Sequence, residues 1–176
     1  AGCVSHQPYD YSPLFAHMPG SILVLPPRNE SPEALVTPVW LSTITAPLAE
    51  RGYYVFPVAL VHRIMRENGL PTAHDMHAVS LAKLDEIFGP DAVLYVTIKD
   101  WGTSYEILAS NTRVTVAARL VDVDSGLEIW QGTATGVKSS NDGNQNGLIG
   151  ALVGALVNQV VASSFDPTPG VSRMTN

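Results

Sequence analysis

Two kinds of strand occur in this chain, and together they constrain its fold class more than any other feature. Ser21-Ile22-Leu23-Val24-Leu25 is continuously apolar, opened by Pro19-Gly20 and closed by Pro26-Pro27. A short run without alternation reads as a strand buried on both faces. Ser110 to Asp122 instead alternates, with Val114, Val116, Ala118 and Leu120 at every second position. That is the period of a strand with one wet face. Asp91 to Lys99 combines the two: Ala92 to Val96 is apolar, then Thr97, Ile98 and Lys99 alternate. It reads as a central strand emerging toward solvent.

Helical patterns separate the early strands. Thr37 offers a capping hydroxyl and Pro38 a first helical position for a helix to about Arg51, stopped by Gly52. Pro47 inside it predicts a kink or an early end. Tyr53 to Pro57 is a second strand, rich in aromatic and β-branched residues. Val58 to Asn68 is an amphipathic helix, and a third helix runs from Asp75 or Met76 to Phe88 before Gly89-Pro90. The alternating strand turns at Asp124-Ser125-Gly126 and returns from Leu127 to Thr135 as a hairpin. A last helix spans Gly147 to Ser164. The order is β-α-β-α-α-β-β-β-α, with helical crossovers first and a meander last. That order predicts a single α/β domain with a mixed sheet flanked by helices, parallel early and antiparallel late. The expected organisation is a tether over residues 1–18, the domain over 19–165 and a loose tail over 166–176.

The 176 residues suit one domain, and that length buries a core without staples. A formal charge of -6 argues against a general nucleic-acid binder, which needs a basic face. Only 15% of residues are charged, against about a quarter in typical domains, so part of the surface is expected under a partner.

The cysteine count excludes an internal disulfide, since Cys3 stands alone. Ala1-Gly2-Cys3 resembles the end of a bacterial lipobox. On that reading the Cys3 sulfur carries diacylglycerol and its amine a further acyl chain. Each buried methylene adds about 0.8 kcal/mol, so two or three chains hold a protein firmly on a bilayer. The polar Ser5 to Pro13 stretch would be the tether. Val4, in place of an Asp retention signal, points to the outer membrane. The alternative is an ordinary thiol. No apolar run approaches the roughly 20 residues of a spanning helix.

Catalytic patterns are sparse. His74-x-x-His77, with His62 nearby, has the spacing of two zinc ligands on one helical turn, but no third ligand follows. Asp75 has a competing use as a helix cap. Pro-Pro-Arg-Asn-Glu follows the first strand in place of a glycine-rich phosphate loop, and no Gly-x-Ser-x-Gly elbow occurs. Asp122 and Asp124 could be a carboxylate pair, although aspartates at such positions commonly stabilise the turn. No catalytic, cofactor-binding or metal residue is therefore assigned.

Two surfaces are candidate interfaces. Gly147, Gly150, Ala151, Gly154 and Ala155 place small residues three and four apart on the last helix. Such a helix packs closely either on its own sheet or against another subunit. Trp101 and Tyr105 fall in a segment that reads as a loop between strands, where they either anchor a partner or cover the sheet end.

Phe88-Gly89-Pro90-Asp91-Ala92-Val93-Leu94-Tyr95-Val96, the Arg119-Leu120-Val121-Asp122-Val123-Asp124-Ser125-Gly126 turn and Ile129-Trp130 resemble the N-terminal domain of TolB and the curli-secretion lipoprotein CsgG. The nearest likeness is to the GNA-type family of small single-domain bacterial lipoproteins. It covers about residues 19–165, and the lipobox extends it to Cys3. Pro90 departs from the usual Ala. The resemblance implies a TolB N-terminal-like fold and an outer-membrane lipoprotein facing the periplasm. It also implies a homodimer, and a non-enzymatic part in envelope assembly or secretion beside a CsgG-type partner. It supplies no catalytic residue. The competing expectation is a small-ligand or peptidoglycan-binding module, which would need a concave polar pocket that the sequence does not reveal.

Overall fold

A computed structural model describes residues 9–106, 109–139 and 151–156. Cys3, Gly147, Gly150 and the tail over 166–176 lie outside the described residues.

The elements are α1 (Ser12–His17), β1 (Ser21–Val24), β2 (Arg28–Asn29), α2 (Val36–Ala49), β3 (Tyr54–Val55), α3 (Val58–Glu67), α4 (Ala73–His77), α5 (Leu81–Phe88), β4 (Ala92–Glu106), β5 (Ala109–Asp122) and β6 (Glu128–Ser139), with α6 over 151–156. One sheet runs in the order β3-β1-β4-β5-β6, and β2 pairs with β4 beyond the end of β1. β1 pairs in parallel with β3 and β4, and β2 in parallel with β4, while the β4-β5 and β5-β6 pairs are antiparallel. The mixed α/β fold expected from the two strand patterns is therefore present.

The sheet separates two cores. On one face Ile22, Val24, Leu94, Val96, Val116, Leu120 and Trp130 pack with Trp40, Ile44 and Leu48 of α2, Leu14 of α1 and Leu152, Val153 and Leu156 of α6. On the other, Leu23, Leu25, Val93, Tyr95 and Val121 pack with Val61 and Met65 of α3, Met76 of α4 and Leu84 of α5. Residues alternate between these clusters along β1 and β4, which is why both strands begin continuously apolar. Trp40 is 1% exposed, and its indole N–H has no acceptor among the described residues.

Asp91 joins β1 to β4. Its Oδ2 accepts from the backbone N–H groups of Gly20 and Ser21 at 2.9 and 2.7 Å and from the Ser21 hydroxyl at 2.9 Å. The Ser21 Oγ accepts in turn from the Asp91 N–H at 2.9 Å. At the hairpin, Asp122 accepts from the Ser125 N–H at 2.8 Å, and Gly126 takes φ +70°, which glycine adopts without strain. Burial raises the Asp122 pKa, but the Ser125 hydrogen bonds, with a smaller contribution from His17, outweigh it and hold the carboxyl below its usual range. This aspartate is a turn-former.

Four local expectations change. The tether expected through residue 18 is already folded from Ser12, where α1 buries Leu14 in the core. α2 begins at Val36 with Leu35 at its cap, so Thr37 caps nothing and Pro38 sits within the first turn, where a missing N–H costs little. The helix also runs two residues past Pro47. The helix expected from Asp75 or Met76 to Phe88 is two helices. Thr72 and Asp75 form a reciprocal capping box for α4, and the Ser80 hydroxyl caps α5.

The last change concerns Trp101 and Tyr105. They lie in no loop: β4 continues to Glu106, with Trp101 opposite Val114 and Tyr105 opposite Ser110. The alternation seen to Lys99 passes through a bulge between Ile98 and Asp100 and goes on.

Candidate functional site

α3, α4 and α5 cover only the β3-β1-β4 side of their face. Beyond them the sheet is open, and register lines up its residues in rows. Arg28 pairs with Thr97, Thr97 with Ala117 and Ala117 with Thr133. The next row is Tyr95, Arg119 and Gln131. Side chains opposite one another in neighbouring strands share a face. A groove of about 260 Å³ follows these rows, lined also by Lys99, His77 and Gly132. Ala117 and Gly132 keep its floor low, since neither carries a side chain longer than a methyl.

The groove is basic although the chain is acidic. Arg28, Lys99 and Arg119 line it, and no carboxylate does. The ion pairs these arginines make are loose, Arg28 to Glu30 and Arg119 to Glu128, both at 3.9 Å and solvent-exposed. Exposed pairs of that kind contribute little and leave the guanidinium donors usable. The Arg119 guanidinium lies over the Tyr95 ring at 4.4 Å, which holds it against the sheet. Burial raises the Tyr95 hydroxyl pKa, with Arg119 working the other way.

His77 closes the end of the groove next to α4. Its Nε2 donates to the Pro26 carbonyl at 2.9 Å, and its ring meets Tyr95 edge-on at 5.3 Å. That bond fixes the neutral tautomer with the proton on Nε2. Burial, reinforced by Arg28, Arg119 and His74, lowers its pKa to about 4 against the support of the Pro26 bond. His77 is therefore uncharged at neutral pH.

A second depression, of about 460 Å³, lies between α1 and the end of α2. Leu14, Phe15, Met18, Pro19, Arg51, Gly52 and Tyr53 line it. Met18 is 75% exposed and Phe15 42%, so the rim is apolar and open.

His74 and His77 share α4 at the expected spacing, but His77 is committed to the Pro26 carbonyl, His74 is exposed, and His62 is on a different helix, α3. Among the described residues no group of three or more His, Cys, Asp or Glu could hold a metal ion. On α6, Leu152, Val153 and Leu156 face the core, whereas Ala151 and Ala155 are exposed. A Cβ added to Gly154 would meet nothing within 4 Å. In the described part of this helix the large residues pack on the sheet and the small ones do not. The basic groove escaped the sequence because five elements build it. The only local signal was alternation in β4 and β5, which marks a wet face without saying that it is concave.

The fold defines a three-layer, single-domain α/β protein with a mixed sheet. The chain belongs to the family described as "Putative lipoprotein GNA1162-like", whose model matches residues 9–176. It is 50% identical over 165 residues to "Putative lipoprotein NMB1124/NMB1162" of Neisseria meningitidis serogroup B, covering 94% of this chain and 76% of that protein. The crystal structure of lipoprotein GNA1162 from Neisseria meningitidis is 51% identical, with a TM-score of 0.72 over 82% of this chain and 99% of that one. The PelC dodecamer from Paraburkholderia phytofirmans shares the fold at 15% identity, with a TM-score of 0.59 over 80% of this chain and 86% of that one.

Proposed function

We propose that the protein is an outer-membrane lipoprotein facing the periplasm, anchored through acyl chains on Cys3. It acts without catalysis, as an accessory or assembly subunit of a CsgG-type secretion or envelope complex. The observation that carries this reading is the family match across residues 9–176, to a family described as lipoproteins. The contact surfaces it would use are the small outward face of α6, where Gly154 serves no close approach among the described residues, and the apolar rim at Phe15 and Met18. A homodimer through the α6 face fits the low charged fraction.

The test is to express the chain behind a lipoprotein signal sequence and fractionate the envelope. The expected result is an acyl mass on Cys3, sedimentation with the outer membrane, and an envelope partner that co-purifies. Cys3→Ser should lose the first two. An unmodified Cys3, or recovery in the inner membrane, would overturn the localisation.

A second reading, as a small-ligand or peptidoglycan-binding module, draws support from the groove beside His77. It is the concave polar surface that such a module requires. A thermal-shift screen with muropeptides separates the two readings, because an accessory subunit should show no shift.

A further inference from the structure

The basic groove has no part in the protein contacts assigned above. Three observations together suggest what it holds. Its charge comes first: Arg28, Lys99 and Arg119 converge on one surface in a chain of net charge -6, with no carboxylate in the lining. The nearest acidic residues, Glu30 and Glu128, stand outside the lining and pair only loosely with Arg28 and Arg119, each at 3.9 Å and solvent-exposed. The second is polar complementarity. Thr97, Thr133 and Gln131 supply hydroxyl and amide donors around a floor of Ala117 and Gly132, so an anion can sit close to the backbone with donors on several sides. Arginine forks suit oxygen pairs on phosphorus or carbon.

The third is position. The Tyr9 hydroxyl accepts from the Gln131 N–H at 2.9 Å, which places Tyr9, the first described residue, beside the groove wall. Cys3 is six residues upstream of Tyr9. Six residues span at most about 20 Å. An acyl chain on Cys3 therefore brings the bilayer headgroups within about that distance of the groove, where lipid phosphate is concentrated.

We propose that this groove binds the phosphate of an anionic phospholipid headgroup in the membrane that anchors the chain, and so fixes the domain's orientation on the bilayer. The proposal rests on the anchoring reading for Cys3. Each cation near an anionic surface strengthens association about fivefold, so the three together account for about a hundredfold.

The experiment uses the full chain as Cys3→Ser, so that no acyl group contributes. Flotation is measured with phosphatidylcholine vesicles, with and without phosphatidylglycerol, at low and high salt. Binding only to vesicles with phosphatidylglycerol, and weakened by salt, is the expected result. The Arg28→Gln/Lys99→Gln/Arg119→Gln variant should lose about a hundredfold in partition. Lys99→Gln alone, at an exposed position, should lose about fivefold and keeps the test informative if the triple variant unfolds. Equal binding to both vesicle types, no salt dependence, or no effect of Lys99→Gln overturns the proposal. Soluble glycerol 3-phosphate or a muropeptide held as tightly as the vesicles overturns the lipid assignment in favour of a free anion. The anchor is tested separately by the mass of Cys3 in membrane-extracted protein: an unmodified cysteine sinks the anchoring reading, while the vesicle arms still decide the groove.

Discussion

The parallel and antiparallel halves of the sheet share β4, yet they are covered differently. β1 and the first five residues of β4 lie between helices on both faces, and Leu23, Val24, Leu25, Ala92, Val93 and Val96 are fully buried. Past Thr97 the strands have α2 and α6 behind them and nothing on the other face among the described residues. Along β5, Val114, Val116 and Leu120 are buried on the covered face, whereas on the open face Thr115 and Ala117 are half-buried and Arg119 is exposed. The same strand thus serves a scaffold at one end and a polar surface at the other. Burial on two faces leaves a residue no freedom to do anything but pack, while a face with one dry side can carry charge at low folding cost.

Substitutions in the two halves should therefore differ widely in effect. Leu23→Ala removes a side chain with no exposure from the doubly covered half, and should cost about 2–5 kcal/mol in chemical denaturation. A cost below about 1 kcal/mol would break the comparison at its stronger end. Asp91→Ala removes the acceptor that ties the starts of β1 and β4 together, and should cost about 1–3 kcal/mol. Asp91→Asn keeps one acceptor oxygen and should recover part of it.

Legibility in the sequence divides along the same line. The doubly buried strands were readable because their apolar runs are local and bounded by Pro19-Gly20 and Pro26-Pro27. The switch at Thr97 was readable for the same reason, since periodicity changes within one segment. α1 was missed: six residues with a single buried side chain, Leu14, leave no periodic trace. The break between α4 and α5 was hidden because Met76, Leu84 and Val79 keep an approximately helical spacing across Ser80. β4 beyond Lys99 was cut short because Gly102 and Ser104 read as turn residues, whereas pairing with β5 overrides such propensity. The groove was out of reach for a different reason. Arg28, His77, Lys99, Arg119 and Thr133 meet only through register and a crossover, and no spacing in the chain records that.

Smaller effects sharpen the contrast. Gly154→Leu meets open space among the described residues and gains helix propensity, so the monomer should gain up to about 1 kcal/mol. If α6 is a homodimer face, the same change should convert a dimer to a monomer by light scattering; a wild-type monomer at high concentration would remove the dimer. His77 gives a pH signature. Its folded pKa, about 4, lies below the ordinary value near 6.5. Its contribution is thus complete above pH 6.5 and is lost as pH falls toward 4, because the unfolded chain takes up the proton first. His77→Gln should flatten that part of the stability profile, and an unchanged slope would contradict the burial of a neutral ring.

The central claim is that the open face of the antiparallel half carries no burden of folding, and Ala117→Glu tests it most directly. The new side chain would stand on the groove floor beside Arg119 and Lys99. A thermal melt should show Tm within about 4 °C of wild type, the shift that about 1 kcal/mol gives in a domain of this size. A fall comparable with that of Leu23→Ala would contradict the account, because this face would then belong to the core.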